Sequence, residues 1–460
     1  MAGTSTVSAM QGQARSPVAP IASIAGAVGY SRGHETRPID LRLEANECAF
    51  APPDLLGRVS AADLGRYANA RDLERRLGAL WGLGPEHVIV TAGADEALHR
   101  LCIVTLEAGR RAILPDPTFE MLDRYVRNSG AERVAVAWVE GEFPLGAFVE
   151  EARKGCHAAF VVSPNNPTGL AASFEDVRAV REAAPRAAVV LDAAYGEFGD
   201  DDPTARTLAL PGTIVTRTFS KAWGLAGLRV GYAMGDPAVI GWMRSTCEPY
   251  PVAGPSLAAV DRWLDEGAGT VSRIVAEVRR ERADLASHLR ALGARPTPSQ
   301  ANFVFCGFDD AAWAADALAS LGIAVRRFDD RPGLTDRLRI TCPGDARLFE
   351  RLARALSASL RPARIVLDRA LGGVGEEARR GLSRRGAVSA ADGPTRGEPG
   401  WFITARPEAI AEARSAGMVP IVIGATPGDP RLIAMGASRV IREPGDAAAL
   451  GIVRRDADST

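Results

Sequence analysis

Lys221 is the residue whose type and setting most clearly indicate chemistry. The chain has 55 Lys and Arg residues, of which only Lys154 and Lys221 are lysines. A compositional bias towards arginine explains this rarity, and it leaves lysine where arginine cannot do the same work. Arginine stays protonated, whereas a lysine amine can lose its proton and attack a carbonyl carbon. Lys154 lies in a polar segment typical of a solvated turn, so Lys221 is the candidate nucleophile.

The neighbours of Lys221 favour a phosphorylated ligand. Its glycine-rich stretch, 216–232, follows an apolar segment, with Ser220 directly before the lysine and Arg229 eight residues after it. A hydroxyl and a guanidinium suit a phosphate dianion, which arginine can bind through two parallel hydrogen bonds. Glycines allow the main chain to pass close to a ligand. We therefore expect Lys221 to hold a phosphorylated aldehyde cofactor as an imine.

Two further motifs precede this stretch in the chain, Asn-Pro-Thr-Gly at 166–169 and Asp-Ala-Ala-Tyr at 192–195. Because these motifs occur in this order along the chain, residues 37–360 resemble the fold-type I pyridoxal-phosphate aminotransferases of class I and II, specifically the histidinol-phosphate aminotransferase branch. The resemblance implies pyridoxal 5'-phosphate as the cofactor, bound to Lys221 as a Schiff base. It also implies amino-group transfer between an amino acid or amino-phosphate substrate and a 2-oxo acid.

The resemblance implies roles for the residues of these motifs. Asp192 would lie beside the pyridine nitrogen, and Asn166 and Tyr195 near the phenolic oxygen. A protonated ring nitrogen draws electrons from the substrate's α-carbon, and an ionised Asp192 would keep that proton in place. The freed Lys221 amine would then move the proton at the α-carbon, which requires a base with a pKa near the working pH.

Other segments are similar to the family's phosphate and ring contacts. The segment 91–96, Thr-Ala-Gly-Ala-Asp-Glu, resembles a glycine turn that opens a helix. The N–H groups of Ala94 and Asp95 would bind the phosphate there, because a helix N-terminus favours anions. Phe119 corresponds to the aromatic residue that stacks on the cofactor ring.

The resemblance also indicates the substrate contacts. Arg339, in Leu-Arg-Ile-Thr, would bind the α-carboxylate, and Arg326 would bind a substrate phosphate, since guanidinium groups suit both anions. The adjacent Arg327 is expected to face solvent instead. Asn46 belongs to a segment that covers the substrate, and Tyr67 would reach the cofactor phosphate of a neighbouring subunit. A homodimer is therefore expected.

The departures from the family pattern lie in the substrate segments, while the cofactor motifs are intact. Asn-Glu-Asn-Pro becomes Asn-Glu-Cys-Ala at 46–49, and Arg-Tyr-Pro-Asp becomes Arg-Tyr-Ala-Asn at 66–69. We therefore hypothesise the same chemistry on a different substrate, in specialised biosynthesis. A decarboxylase of a phosphorylated amino acid is the alternative, because the cofactor motifs do not decide which bond to the α-carbon breaks. A scaffold without activity is disfavoured by the intact cofactor motifs.

The elements that must position these residues alternate between apolar strands and helices, which predicts an α/β fold with a large, mostly parallel sheet covered on both faces. A small α+β domain and a small C-terminal α/β domain are expected to follow. The predicted strands lie at 88–91, 111–114, 159–162, 188–191 and 213–216. The predicted divisions are a flexible N-terminal arm at 1–36, an aminotransferase region at 37–360 (large domain about 70–255, small domain about 37–69 and 256–360) and a C-terminal domain at 361–460.

Residues 363–455 resemble a haloacid dehalogenase-type phosphatase that has lost its metal ligands. Asp368 matches the nucleophile of that family, but the second acid is Ala370 and both late acids are Ala405 and Ala409. A Mg²⁺ ion needs carboxylate oxygens, so we interpret a degenerate domain with a structural or docking role. An active phosphatase fused to the aminotransferase is the alternative. A Gly/Arg/Ser/Pro-rich tract at about 381–400 is expected to be a flexible loop.

Composition excludes several other classes of protein. The formal net charge is −1, so no field attracts nucleic acid or an anionic membrane. No apolar run approaches the roughly 18 residues of a membrane span, and a cytoplasmic location is expected. The six cysteines form no C-x-x-C pair and the five histidines lack ligand spacing, so we expect reduced thiols and no metal site.

Overall fold

The structure is a computed structural model, and it describes residues 19–25, 35–48, 50, 52, 54–55, 57, 59–246, 248–372, 379, 382, 387–397, 399–424, 426–442 and 446. The predicted N-terminal arm therefore lies outside the described residues, except for 19–25 and 35–36. Ala49, Cys247 and most of 373–386 also lie outside them. The other five cysteines are free thiols, as expected.

Short strands and helices alternate along the described residues. The strands, in chain order, are β1 Leu41–Leu43, β2 Val88–Thr91, β3 Arg111–Asp116, β4 Glu132–Ala137, β5 Ala158–Val162, β6 Ala188–Asp192, β7 Thr213–Thr218, β8 Gly231–Gly235, β9 Arg295–Pro296, β10 Phe303–Gly307, β11 Ile323–Arg327, β12 Arg337–Thr341, β13 Arg364–Asp368, β14 Ala387–Ala391, β15 Gly400–Thr404, β16 Met418–Ile423 and β17 Arg439–Ile441. The α-helices are α1 Ala61–Gly65, α2 Arg71–Leu80, α3 Gly93–Thr105, α4 Glu120–Asn128, α5 Leu145–Arg153, α6 Phe174–Ala183, α7 Thr204–Leu208, α8 Pro237–Ser245, α9 Gly254–Glu266, α10 Ala268–Ala291, α11 Ala311–Ser320, α12 Ala346–Leu360, α13 Ala409–Ser415 and α14 Pro430–Met435.

The large sheet has the strand order β2-β8-β7-β6-β5-β3-β4. Strand β8 runs antiparallel to both neighbours, and the other pairs are parallel. Phe160 of β5 packs with residues of α3, α4 and α8, whereas the next residue, Val161, packs with residues of α5 and α6. Both faces are thus buried, which accounts for the continuous apolar run of β5. The predicted parallel sheet with helices on both faces is confirmed.

A second sheet has the order β1-β11-β12-β10-β9. Strands β1 and β11 are parallel, and the remaining pairs are antiparallel. Helices α10, α11 and α12 contribute to its core. Within this sheet Arg326 of β11 lies directly opposite Arg339 of β12.

A third, entirely parallel sheet has the order β14-β13-β15-β16-β17. Its core includes side chains of α11 and α12, and the Trp313 and Trp401 rings meet edge to face at 5.2 Å. Trp401 Nε1 donates a hydrogen bond to the Ala358 carbonyl oxygen of α12 at 2.8 Å. The third sheet is therefore packed directly on the helices of the second.

The tract predicted as a loop at about 381–400 contains strand β14, so that prediction is wrong for these five residues. Residues 387–391 pair in parallel with β13 at the edge of the third sheet. Its residues, Ala-Val-Ser-Ala-Ala, are all half-buried or exposed, and they lack the bulky apolar run that is typical of a buried strand. The neighbouring β13 backbone supplies the pairing, which local sequence signals do not reveal.

No helix among the described residues is long and apolar enough to span a membrane. Within the same residues, no cluster of three or more His, Cys, Asp or Glu side chains could hold a metal ion.

Candidate active site

A cleft with a volume of about 1130 Å³ lies at the carboxyl ends of β3, β5, β6 and β7. Parallel strands bring the residues that follow them to one edge of a sheet, where open α/β sheets bind ligands. The predicted residues that line this cleft are Asn46, Ala94, Asp95, Phe119, Asn166, Asp192, Tyr195, Ser220, Lys221, Arg229, Arg326 and Arg339. Residues from distant parts of the chain therefore meet in one cavity.

The Lys221 side chain reaches into the cleft from the turn after β7. Its Nζ donates a hydrogen bond to the Ala45 carbonyl oxygen at 3.0 Å and lies 5.6 Å from the centre of the Tyr195 ring. The Lys221 carbonyl oxygen accepts a hydrogen bond from the Cys48 thiol at 3.2 Å. The Ser220 N–H donates to Thr218 Oγ1 at 3.1 Å, so the turn is held from both sides. The amine therefore extends from a fixed backbone.

An anion site is formed by Ser220, Arg229 and the start of α3. Arg229 Nη1 donates to Ser220 Oγ at 3.2 Å, and its Nη2 donates to Asp95 Oδ2 at 3.1 Å. Arg229 has a φ of 54°, in the left-handed region that non-glycine residues rarely adopt. Gly93, with a φ of 83°, leaves room for this guanidinium, because a Cβ there would lie 2.5 Å from Arg229 Nη2. The first N–H groups of α3, including that of Ala94, lack intrahelical acceptors and suit a phosphate.

Asp192 is a buried carboxylate at the end of β6, 5% exposed. Its Oδ1 accepts hydrogen bonds from Thr216 Oγ1 at 2.9 Å and from the Ala194 N–H at 3.2 Å. Burial raises its pKa to about 6, although these two hydrogen bonds lower it. A buried carboxylate that has no cationic partner among the described residues favours a ligand that brings one, such as a protonated ring nitrogen.

Asn46 with Tyr195 and Asn166 with Arg339 form two hydrogen-bonded pairs that line the cleft. Asn46 Nδ2 donates to the Tyr195 hydroxyl at 2.8 Å, and Asn46 has a φ of 57°. Arg339, 8% exposed, donates from Nη1 to Asn166 Oδ1 and from Nη2 to the Glu44 carbonyl oxygen at 2.6 Å. The predicted carboxylate-binding arginine is therefore adjacent to the predicted cofactor-binding asparagine.

Arg326 lines the cleft. Its Nη2 donates to Glu120 Oε2 at 3.3 Å, and Arg331 Nη2 lies 3.8 Å from the same oxygen. Phe119, which immediately precedes α4, lines the cleft next to this group. Arg327 was expected to face solvent, but it lines the cleft and its Nη1 donates to the buried Asp316 at 3.1 Å.

Tyr67 does not line the cleft and is 82% exposed. Its ring stacks on Tyr250 at 4.4 Å between centroids. Within one chain the structure therefore does not bring Tyr67 to the other predicted cofactor residues.

Two cleft contacts were missed by sequence reasoning. Thr216 pairs in register with Asp192 and donates to it, but β7 contains three threonines and an arginine, so no local signal singles out Thr216. Glu120 receives hydrogen bonds or ion pairs from Arg124, Arg326 and Arg331. A charged residue directly after Phe119 was its only signal, since Arg326 and Arg331 lie about 200 residues further along the chain.

Comparisons with known proteins agree with this geometry. Residues 30–356 match the family model described as aminotransferase class I and II. The chain is 35% identical to the histidinol-phosphate aminotransferase of Symbiobacterium thermophilum, over 70% of this chain and 90% of the relative. It is 36% identical to that of Xanthomonas euvesicatoria pv. vesicatoria, over 66% of this chain and 86% of the relative.

A solved structure is also similar. The crystal structure of histidinol-phosphate aminotransferase from Sinorhizobium meliloti in complex with pyridoxal-5'-phosphate is 26% identical, with a TM-score of 0.68. The match covers 76% of this chain and 99% of that chain. The chain therefore belongs to the aminotransferase class I and II family, and it is a pyridoxal-phosphate-dependent transaminase.

Proposed function

We propose that this transaminase moves an amino group between a substrate with a distal anionic group, an amino acid or amino phosphate, and a 2-oxo acid. The observation that carries this proposal is the pairing of Arg326 with Arg339. The two residues are register partners on neighbouring antiparallel strands, and both line the cleft. Side chains opposite each other on one face lie about 5 Å apart at Cβ, so one small substrate can meet both guanidiniums.

The cleft residues fit pyridoxal phosphate. Lys221 would hold the aldehyde carbon, and the anion site at Ser220, Arg229 and the start of α3 would hold the phosphate. Asp192 fits the ring nitrogen because a cation beside it would stabilise its buried charge. Bound there, the cofactor supplies an electron sink for charge that develops at the substrate's α-carbon.

The remaining roles belong to side chains that bind or orient. The Tyr195 hydroxyl accepts from Asn46 and can donate its own proton, and Asn166 can donate through Nδ2 while its Oδ1 accepts from Arg339. Both groups would hydrogen-bond the cofactor's phenolic oxygen. Lys221 would move the proton at the α-carbon, and Arg339 would hold a carboxylate there.

The test of the reaction uses the two lysines of the chain. Lys221→Ala is expected to abolish transamination and the near-visible absorption of the bound cofactor. Lys154→Ala is the matched control, because Lys154 is exposed and pairs with Glu150 and Glu151. Borohydride reduction followed by peptide mass spectrometry should find the cofactor on Lys221. Loss of activity in the control, or an adduct on Lys154, would contradict the proposal.

The substrate is addressed by product analysis with candidate amino donors and 2-oxoglutarate. The relatives are named for histidinol phosphate, whereas the departures near Asn46 and Tyr67 motivate a different, specialised substrate. Efficient use of histidinol phosphate together with poor use of other amines would reject that hypothesis. The decarboxylase alternative is not favoured by these relatives, and carbon dioxide release without an oxo product would revive it.

For the C-terminal residues 361–460 we propose a degenerate haloacid dehalogenase-like domain with a structural role. The divisions at 1–36 and 37–360 stay predictions. Asp368 ends β13, where its Oδ2 accepts from Thr404 Oγ1 at 2.6 Å and from Arg406 Nε at 2.7 Å. These bonds hold the pKa of Asp368 below its usual value despite burial. An arginine therefore already balances the charge of the residue matched to the nucleophile. The expected cytoplasmic location likewise stays a prediction.

The alternative, an active phosphatase, has a direct test. Purified full-length protein is expected to release no phosphate from p-nitrophenyl phosphate with added Mg²⁺. Activity that depends on Mg²⁺ and disappears in Asp368→Ala, but persists in Lys221→Ala, would overturn the degenerate assignment.

We also propose that the chain works as a homodimer in which Tyr67 reaches the partner's cofactor phosphate. Its exposed ring, stacked on Tyr250, supports this proposal, because an exposed aromatic pair is typical of a contact surface.

A further inference from the structure

An ion cluster around a buried carboxylate joins the third sheet to a residue that lines the cleft. Its members, here called the Asp316 cluster, are Asp316 of α11, Arg37, Arg327 of β11 and Arg439 of β17. Asp316 Oδ1 accepts from Arg327 Nη1 at 3.1 Å and lies 3.3 Å from Arg37 Nη2. Its other oxygen, Oδ2, pairs with Arg439. One carboxylate, 6% exposed, therefore contacts guanidiniums from three separate segments.

Backbone contacts join the same parts of the molecule. Arg37 donates from Nε to the Ala437 carbonyl oxygen at 2.9 Å and from Nη2 to that of Ser438 at 3.2 Å, directly before β17. Arg414 of α13 donates to the carbonyl oxygens of Ser320 and Pro38, each at 2.7 Å. The third sheet thus contacts both the end of α11 and the segment that leads into β1.

The other side of these elements faces the cleft. Ala315 and Ala319 of α11, four residues apart on one face of the helix, line the cleft. Asp316 and Ser320, the next residues along, face the third sheet through the contacts above. Arg327 lines the cleft and directly follows Arg326, so the Asp316 cluster lies one residue from the proposed distal-anion contact.

We propose that Arg439 is a positioning residue for the distal-anion contact, and that the C-terminal domain supports this part of the cleft through the Asp316 cluster. The inference rests on the proposed function of Arg326. Arg439 balances one oxygen of Asp316 and leaves the other to hold Arg327, which fixes the end of β11. Without Arg439 a buried carboxylate oxygen loses its partner, which is costly, and the side chain reorients. Arg327 and the adjacent Arg326 then lose their fixed position.

The experiment compares substrates with and without a distal anion in the full-length holoenzyme. The two pairs are histidinol phosphate with histidinol, and glutamate with glutamine, and the pair with the higher turnover is used. Arg439→Gln is expected to raise KM for the anionic member about fivefold, at the low end of typical couplings between sites. The kcat, the KM of the neutral member and the cofactor affinity are expected to stay unchanged. Arg439→Lys keeps the charge, so its KM for the anionic member should lie between those of Arg439→Gln and the wild-type protein.

Arg431→Gln is the matched control, because Arg431 lies in the same domain and pairs with Asp429 while its side chain is 87% exposed. It should leave both KM values unchanged. An equal rise of both KM values in Arg439→Gln, or no rise in either, would overturn the inference. Arg326→Gln separates the two proposals. If it raises KM for the anionic member and Arg439→Gln does not, only the inference fails, and if Arg326→Gln has no effect, the proposed function fails.

Discussion

At the scale of single residues, the chemistry of the site depends on how burial changes charged groups. Asp192 lies among apolar strands, and its two hydrogen-bond donors do not offset the loss of solvation, so its pKa rises to about 6. Arg229 is exposed and Lys221 is half-buried, and both line the cleft, where a phosphate and an aldehyde would meet them. Charged side chains at the cleft lower the stability of the protein alone, and the same side chains favour the binding of a cationic ring that carries a phosphate.

The sign of the Asp192 effect gives a prediction for the apoprotein. A carboxyl pKa raised from 3.8 to about 6 by folding means that the folded state binds the proton more tightly. The contribution of Asp192 to the stability of the folded state is therefore largest below the pKa of the unfolded state, and it is lost as the pH rises through about 6. Asp192→Asn keeps the hydrogen bonds that Oδ1 accepts but carries no charge. At pH 8 the apoprotein of this variant should be more stable than wild type by on the order of 1–3 kcal/mol.

The measurement is urea unfolding of both apoproteins at pH 8 and pH 5, with the difference shrinking at the lower pH. With saturating pyridoxal phosphate the order should reverse, because the variant cannot neutralise a protonated ring nitrogen. A variant that is less stable at pH 8 without cofactor would contradict the raised pKa.

At the scale of elements, close approach between α3, β8 and the turn at 219–230 creates the anion site. A Cβ at Gly231 would lie 2.4 Å from the Ala94 nitrogen, and one at Gly93 would lie 2.5 Å from Arg229 Nη2. Glycine at these two positions lets β8 and the Arg229 guanidinium reach the start of α3. The order of the strands determines where the anion site lies. The lack of side chains at the two glycines leaves the space that it needs.

Gly93→Ala therefore tests the anion site at this scale. The new methyl group would displace the Arg229 guanidinium, and the left-handed backbone would cost about 1 kcal/mol in addition. We expect the dissociation constant of pyridoxal phosphate to rise about tenfold, which corresponds to the loss of one charge-assisted hydrogen bond. Cofactor titration followed by absorbance measures it.

Gly155→Ala is the control for backbone strain alone. Gly155 has a φ of 97°, and nothing lies within 4 Å of a Cβ there. This variant should lose stability while its cofactor affinity stays at the wild-type value. Equal affinities in the two variants would show that Gly93 does not act through Arg229.

At the scale of the whole molecule, each catalytic cleft is proposed to need a second copy of the chain. Tyr67 is exposed and lies outside its own cleft. In a dimer it would supply one more hydrogen bond to the cofactor phosphate, so Tyr67→Ala should weaken cofactor binding about tenfold. One chain has a mass of 48.5 kDa, and light scattering on the wild-type protein should give twice that mass.

Mixing two defective variants tests the shared site directly. Tyr67→Ala and Lys221→Ala chains, unfolded together and refolded at limiting cofactor, should form mixed dimers in which one cleft has both residues intact. With random pairing about a quarter of wild-type activity should return. Activity no higher than that of the Tyr67→Ala protein alone would indicate that Tyr67 does not act across an interface.

Much of the fold and of the site could be predicted from local patterns in the sequence. The strands from β2 to β7 that were predicted all form, because a short apolar run bounded by turns depends mostly on its own residues. Lys221, Asp192 and Asn166 could be predicted as site residues, because the order of the motifs and the types of their residues can be read directly from the sequence. The strand β14 was not, because its pairing depends on β13 and not on its own side chains.

The sequence by itself determined which groups can do the chemistry: a rare lysine, a strand-end carboxylate, and arginines and a serine suited to phosphate. The tertiary structure alone decided which of them meet. Strand register places Arg326 opposite Arg339, Tyr67 lies outside its own cleft, and Arg439 reaches Asp316 from 123 residues further along the chain. These contacts join residues far apart in sequence, so they depend on packing and strand pairing that no local window contains.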